Sequence, residues 1–175
     1  MNVVLICGSR NWTNLEPIRN VISKLPVKSI IIHGGQQGAD SIAGQEASKL
    51  GHDVMKLEVD WERFGRRAGP IRNQEMLNRL LSASETFHLP VKAFAFHSSP
   101  KLGLGTKDMV TRCIKHKIRV GVFLSCESEI IRASGDVNCK QCGMQYWRHP
   151  DLISILDSEG HPFLKLSCDG LCLKL

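Results

Sequence analysis

The chain has 175 residues, of which 42% are hydrophobic and 23% charged, so we expect a packed globular protein and exclude a disordered one. The formal net charge is +6, and the excess lies in residues 1–125, which hold 18 of the 23 Lys and Arg residues but only 10 of the 17 Asp and Glu residues. This basic part suits an anionic ligand such as a nucleotide, a sugar phosphate or a nucleic-acid backbone, although solubility alone would also account for it.

No segment has the pattern of a signal peptide or a membrane span. The apolar run at residues 1–7 follows no basic region and ends at Gly8, and no run approaches the roughly 20 residues that a bilayer requires. We therefore expect a cytoplasmic protein without a membrane partner. Seven cysteines in a reducing compartment favour metal binding or free thiols over disulfides.

Five short apolar runs alternate with four amphipathic segments along residues 1–125. The runs predict strands at 3–7, 29–33, 53–59, 91–96 and 119–124, and the segments predict helices at 14–25, 39–51, 73–82 and 106–117. Strands joined through helices of about a dozen residues form right-handed crossovers and therefore a parallel sheet. The pattern predicts an α/β fold, a doubly wound parallel sheet of about five strands, in which ligands bind outside the carboxyl ends of the strands.

Two glycine motifs follow the first two predicted strands. Gly8-Ser9-Arg10 combines a sharp turn with a hydroxyl and a planar cation, which suits a phosphate or carboxylate but also a plain tight turn with an exposed arginine. Gly34-Gly35 allows close approach of a ligand to the backbone. Asp40 falls in the first turn of the next helix, where it either complements the helix dipole or accepts hydrogen bonds from a ribose or base.

A third glycine motif precedes the fourth predicted helix. Gly103 and Gly105 bracket one residue, and Thr106 is expected to cap the helix. Flexible backbone, a hydroxyl and helix N-terminal amides form a plausible phosphate cradle. The motif matches neither a dinucleotide-binding GxGxxG pattern nor a Walker loop.

The stretch DWERFGRRAGPIRNQEM, residues 60–76, holds four arginines, and its apolar residues keep neither a helical nor a strand period. We interpret it as a lid or an insertion that folds over the same crevice. Arg72 and Asn73 are placed at the start of a helix, where an arginine is disfavoured unless an anion compensates it. Trp61 could stack on one base.

Together, the motifs GSRNW, HGGQQGAD, VDWERFGRRAGPIRNQEML and GLGTKDMV, in this order, resemble the YspA-type branch of the SLOG superfamily, which includes the Lonely Guy phosphoribohydrolases and DprA. The resemblance covers nearly all of residues 1–125. It implies a Rossmann-like sheet, a nucleotide or nucleotide-derived ligand and a homodimer. Carried over by motif, it implies a binding set of Gly8, Ser9, Arg10, Gly34, Gly35, Asp40, Trp61, Arg72, Asn73, Gly105 and Thr106, to which the cradle motif adds Gly103.

Two alternatives stay open from this resemblance. A nucleotide N-glycosidase would need an acid against the ribose or a water, but the phosphoribohydrolase signature PGGxGTxxE is replaced here by KLGLGTKDM, with Met109 at the position of the final Glu. Asp60 and Asp108 are the candidate catalytic acids, with Glu75 and Asp40 as further possibilities. A nucleic-acid-binding protein like DprA would bind with steep salt dependence.

The last 50 residues hold two cysteine pairs, Cys139-x2-Cys142 and Cys168-x3-Cys172. Four thiolates in two short pairs suit a tetrahedral structural zinc, although four unrelated thiols are the alternative. A metal would add the stability that so short a segment lacks. We therefore predict a nucleotide-binding domain at 1–125 and a zinc-ribbon-like appendage at 126–175.

Overall fold

The computed structural model describes residues 1–98, 102–124 and 164–168. Its strands are β1 (Val3–Gly8), β2 (Ile30–His33), β3 (Asp53–Lys56), β4 (Val91–His97), β5 (Val120–Leu124) and β6 (Leu164–Cys168). Its helices are α1 (Leu15–Ser23), α2 (Ala39–Lys49), α3 (Trp61–Phe64), α4 (Ala68–Phe87) and α5 (Leu104–Lys115), with a 3-10 turn at Gly65–Arg67. All five predicted strands and four predicted helices are present.

The strands form one parallel sheet in the order β3-β2-β1-β4-β5-β6. It has one strand more than predicted, because Leu164–Cys168, which we assigned to the appendage, pairs with β5. A five-residue segment with the sequence LKLSC does not reveal which distant strand it pairs with. Three of the predicted zinc ligands, Cys139, Cys142 and Cys172, lie outside the described residues, and Cys168 is the last residue of β6.

Helices cover both faces of the sheet, which confirms the doubly wound prediction. Residues of β1 alternate between two hydrophobic clusters: Val3 and Leu5 pack with α4 and α5, whereas Val4 and Ile6 pack with α1 and α2. A strand that is buried on both faces is apolar at every position. The sequence therefore does not show which residues of β1 face which cluster.

The arginine-rich stretch at 60–76 is mostly helical. The prediction that Arg72 and Asn73 start a helix is wrong, because α4 begins at Ala68 and extends to Phe87. Pro70 lies in the first turn of α4, where its missing N–H is no loss because first-turn amides have no intrahelical acceptor. Arg72 is therefore on the second turn of a long helix and points from its side into the crevice.

The chain order places a crevice at the middle of the sheet. β1 lies between β2 and β4, so the connection after β1 moves towards one edge and the connection into β4 moves to the other side of β1. In open parallel sheets this change of direction leaves a gap at the carboxyl ends of the two strands. No helix among the described residues is long and apolar enough to cross a bilayer.

Candidate ligand site at the carboxyl edge of the sheet

A cavity of about 460 Å³ opens at the carboxyl ends of β1 and β4. It collects side chains from four separate parts of the chain, which lie up to 101 positions apart in sequence. The predicted site residues that line it are Gly8, Ser9, Arg10, Asp40, Trp61, Arg72, Asn73, Gly103, Gly105, Thr106 and Asp108. Gly34, Gly35 and Asp60 were also predicted, but they lie outside this lining.

Gly8 is the last residue of β1 and lies against the backbone of Phe96 and the side chain of Ala39. A Cβ on Gly8 would lie 2.6 Å from the Cβ of Ala39 and still closer to the carbonyl oxygen of Phe96. The next amide, of Ser9, donates to that same oxygen at 2.8 Å. The Ser9 hydroxyl shares a hydrogen bond of 2.9 Å with the hydroxyl of Ser98, so it ties β1 to β4 at the cavity wall.

Asp40 is the most deeply buried acid at the cavity, with 3% of its surface exposed. Its Oδ2 accepts hydrogen bonds from the amides of Gly34 at 3.1 Å and Gln36 at 3.4 Å. Burial raises the pKa of Asp40 from an ordinary 3.8 to about 6, although the guanidinium of Arg72 and these backbone amides act in the opposite direction. Asp40 therefore holds the loop after β2 and still carries an incompletely compensated charge.

The two glycines after β2 shape this loop behind the cavity wall. Gly35 adopts a φ of +69°, which favours glycine, and its amide donates to Nδ1 of the buried His33 at 3.1 Å. The side chains of Asp40 and Arg72 both pack against Gly34, whose carbonyl accepts a 2.9 Å hydrogen bond from Nη1 of Arg72. The structure thus gives both glycines a role in placing Asp40 and Arg72.

Arg72 extends from α4 towards the loop after β2. Burial lowers the pKa of its guanidinium, which the neighbouring Asp40 opposes. Its Nε is buried and has no hydrogen-bond partner within the described part of the chain. The guanidinium carbon lies 5.9 Å from the ring centroid of Trp61, and that of Arg10 lies 5.8 Å from the same centroid. Trp61, which is 41% exposed, therefore sits beside two cations at the cavity mouth.

The first turn of α5 closes the other side of the cavity. Gly103 is the N-cap, and no side chain of the described residues caps this helix. Thr106 is inside the first turn and buried, so the prediction that Thr106 caps the helix is wrong; Leu104 begins the helix two residues earlier. A Cβ on Gly105 would meet nothing within 4 Å, so the backbone there is open to the cavity. Uncapped first-turn amides and the helix dipole both favour an anion.

Two polar side chains on α4 and α5 hold this turn in place. Asn73 donates through Nδ2 to the carbonyl of Gly105 at 3.0 Å and to Oδ2 of Asp108 at 2.8 Å. The same Oδ2 accepts from Nε of Arg112 at 2.9 Å, and Arg112 also donates to Gln74. Asn73, which we predicted to bind ligand, thus uses its amide donors on the protein.

Both candidate catalytic acids have structural partners. Asp108 pairs with Arg112 and Asn73, although it still lines the cavity. Asp60 is the N-cap of α3 and accepts a 2.9 Å hydrogen bond from the amide of Arg63. Asp40, in contrast, is a cavity carboxyl group whose pKa burial raises to about 6.

Sequence reasoning missed several lining residues. They are Cys7, Gln36, Gly69, Pro70, Met76, His97 and Leu104, and Arg66 also belongs here although the sequence did not separate it from a solvated surface cation. Met76 is four residues after Arg72 and shares its helix face, so a correct start for α4 would have found it. The ring of His97 accepts through Nε2 from the amide of Gly103 at 2.9 Å, which fixes the N-cap of α5.

Three comparisons relate this chain to known proteins. The family model described as the YspA, cpYpsA-related SLOG family matches residues 2–64. The Gene 61 protein of Mycobacterium phage D29 is 34% identical over 86 residues, which are 44% of this chain and 69% of that protein. The X-ray structure of DNA processing protein A (DprA) from Streptococcus pneumoniae superposes with a TM-score of 0.55 at 14% identity, over 97% of this chain and 59% of that chain. The chain thus spans 59% of the DprA chain's length, and this likeness concerns the fold.

Proposed function

We propose, from the premise that this chain belongs to the YspA-related SLOG family, that the cavity at the carboxyl edge of its sheet binds a nucleotide or a nucleotide-derived small molecule. The observation that carries the proposal is the uncapped first turn of α5, whose open backbone at Gly105 faces a cavity that also contains arginines. Backbone amides at a helix start together with guanidinium groups suit a phosphate.

The proposed phosphate position is the first turn of α5. Gly105 leaves room for close approach, and the hydroxyl of Thr106 is at the same wall. Arg10 and Arg66 line the mouth and would add charge without being committed to the core.

The rest of the ligand would extend from α5 towards Trp61. Its indole is half-exposed at the mouth and offers an aromatic surface for a base. A volume of about 460 Å³ falls within the range of roughly 300–1,000 Å³ that is typical of small-molecule sites. These features support a mononucleotide-sized ligand over a polymer that passes through.

Calorimetric titration with the four ribonucleoside monophosphates tests the proposal. We expect one of them to bind the wild type and to bind Arg10→Ala at least about tenfold more weakly, since a charge-assisted hydrogen bond contributes roughly 1.5–3 kcal/mol. Arg79→Ala is the matched control, because Arg79 is an exposed residue of α4 that pairs with Glu75 outside the cavity. Wild-type protein that binds no nucleotide would refute the proposal.

A nucleic-acid ligand is distinguished in the same experiment. A basic surface that binds single-stranded DNA gives an affinity that falls steeply as salt rises, and it would depend on Arg66 and Arg67. We expect a short oligonucleotide to compete poorly with the bound mononucleotide. Tight, salt-sensitive oligonucleotide binding without mononucleotide binding would favour the DprA-like alternative.

Asp40 supports a second candidate function, hydrolysis of the N-glycosidic bond of the same nucleotide. A buried carboxyl group with a pKa of about 6 is suited to exchange a proton with a leaving base or an attacking water. Chromatography after prolonged incubation with each monophosphate would detect free base and ribose phosphate. Hydrolysis that survives in Asp40→Asn would assign the reaction to another acid, and no hydrolysis would leave a binding protein.

A further inference from the structure

Asp40 and Arg72 carry opposite charges at the inner wall of the cavity, yet no direct ion pair joins them in the described part of the chain. Both flank Gly34: a Cβ placed there would lie 3.0 Å from Oδ2 of Asp40 and 2.7 Å from Nε of Arg72. Asp40 interacts with Arg72 through space, but its hydrogen bonds go to backbone amides. Arg72 in turn donates to the carbonyl of Gly34.

Arg72 is left with an unpaired donor among the described residues, and Asp40, which interacts with the backbone amides of Gly34, Gln36 and Gly8, has room for about one more donor. Among the described residues, Nε of Arg72 is the one buried polar side-chain atom that has no hydrogen-bond partner. A guanidinium has five N–H donors, and a carboxylate has about four acceptor positions. Nε itself is buried, so a ligand would reach Arg72 through the terminal nitrogens of its guanidinium. Asp40 and Arg72 both line the cavity with opposite charges, so a group that bridges them would satisfy both.

A group that bridges the pair must donate a hydrogen bond to Asp40 and accept one from Arg72. A phosphate oxygen would meet Arg72 well but would be repelled by the carboxylate of Asp40. A hydroxyl group can donate to Asp40 and accept from the guanidinium of Arg72 at the same time. In a nucleotide the sugar joins the phosphate to the base, so a phosphate at α5 and a base beside Trp61 leave the sugar hydroxyls nearest to the inner wall.

We propose that a ribose hydroxyl of the ligand bridges Asp40 and Arg72, so that the site selects ribonucleotides over deoxyribonucleotides. This inference rests on the proposed nucleotide-binding function and adds the sugar specificity of the same site. The edge of a base also presents a donor beside an acceptor, and the experiment separates that source from the sugar.

The test uses the full chain and titrates it with the ribonucleoside monophosphates and their 2′-deoxy and 3′-deoxy analogues. We expect the removal of one hydroxyl to weaken binding roughly 10- to 100-fold, the range for one hydrogen bond to a charged group. In Asp40→Asn, which keeps the side-chain shape and an acceptor for the Gly34 amide, we expect that ratio to fall to about 3-fold or less. Glu85→Gln, at an exposed position near the end of α4 and outside the cavity lining, is the control and should keep the wild-type ratio.

The possible results of this titration separate a failure of the sugar inference from a failure of the proposed nucleotide binding. Equal affinity of the wild type for ribo and both deoxy forms overturns the inference while the proposed function stands, and this comparison needs no variant. An unchanged sugar preference in folded Asp40→Asn also overturns it. If Asp40→Asn instead removes discrimination between bases, the pair contacts the base edge and the sugar assignment is wrong. Wild-type protein that binds no nucleotide refutes both the proposed function and this inference.

Discussion

Gly8 and Gly105 both belong to the predicted binding set, but different physical demands act on them. At Gly8 a Cβ would overlap the backbone of β4 and the side chain of Ala39, so the absence of a side chain is a packing requirement. At Gly105 a Cβ would have open space, so glycine matters there for access of a ligand to the backbone. The same residue type thus serves the fold in one motif and the site in another.

Substitution of these two glycines separates the two demands. We expect Gly8→Ala to destabilise the protein by about 3 kcal/mol, the upper end for overpacking, because a backbone carbonyl cannot move aside. Gly105→Ala should stabilise α5 slightly, by roughly 0.5–1 kcal/mol, and should weaken nucleotide binding. Urea unfolding and calorimetry measure both. A Gly8→Ala protein with wild-type stability would contradict the packing seen here.

The shifted pKa values of Asp40 and His33 predict an unusual dependence of stability on pH. Asp40 has a pKa raised by burial to about 6, so its folded form holds a proton that the unfolded chain has lost, and its contribution to stability declines as pH rises from about 4 to 6. Burial lowers the pKa of His33 from 6.5 to about 4, so its contribution declines as pH falls through the same window. The two effects oppose each other in the wild type.

Asp40→Asn removes one of these opposing effects. We expect the stability of the variant relative to wild type to rise by about 2 to 3 kcal/mol between pH 4 and 7, the equivalent of the shift in the Asp40 pKa. Denaturant unfolding at several pH values measures this difference. A difference that stays constant with pH would show that Asp40 titrates normally in the folded protein.

At the scale of elements, α4 and α5 act as one support for the phosphate turn. α4 is twice as long as the predicted segment, which covered only its apolar middle, and its first turns carry the residues that reach the cavity. Asn73 links the two helices across 32 positions in sequence through the carbonyl of Gly105. Helix periodicity could place Asn73 on α4, but its partners became known only from the packing of the two helices.

Removal of this link should affect both stability and binding. We expect Asn73→Ala to destabilise the protein by about 1–3 kcal/mol, because it removes the donor to the Gly105 carbonyl and one of the two side-chain donors to the Asp108 carboxylate. Arg79→Ala on the same helix breaks only an exposed pair with Glu75 and should cost at most about 0.5 kcal/mol. Thermal unfolding of the two variants compares them. Similar small losses in both would mean that the link between the helices contributes little.

At the scale of the whole molecule, β6 (Leu164–Cys168) belongs to the sheet, where it pairs in parallel with β5. The described residues contain no group of three or more metal-binding side chains, and three of the four predicted zinc ligands lie outside those residues. The zinc-binding appendage, the boundary at residue 125 and the homodimer therefore stay predictions. β6 places Cys168 at the carboxyl edge of the sheet, level with Leu124 of β5.

The zinc prediction is tested by elemental analysis of protein expressed with added zinc. We expect about one zinc per chain, lost in Cys139→Ser because a structural site needs all four thiolates. Cys113→Ala is the control, since Cys113 is a buried thiol beside Met109 in the core of residues 1–125. Wild-type protein that contains no zinc would contradict this prediction and favour the alternative of four unrelated thiols.

The sequence by itself determined the elements whose signal is local. Apolar runs and helical periods predicted five strands and four helices to within a few residues at most ends, and strand order along the chain predicted a crevice at the carboxyl edge. The glycine motifs and the arginine-rich stretch together predicted just over half of the residues that line it. These predictions succeeded because burial on both faces of a sheet and the turn at a strand end leave a pattern in neighbouring residues.

Only the tertiary structure decided which polar groups meet. In the structure, Asp60 caps a helix and Asp108 pairs with Arg112. Arg72 lies beside Gly34, and its buried Nε has no partner among the described residues. The tertiary structure also adds β6 to the sheet. Hydrogen bonds require partners within about 3 Å, and partners 32 to 38 positions apart come together only when helices pack on a sheet. A residue's type gives its chemistry, whereas its neighbours in space decide whether that chemistry is free for a ligand.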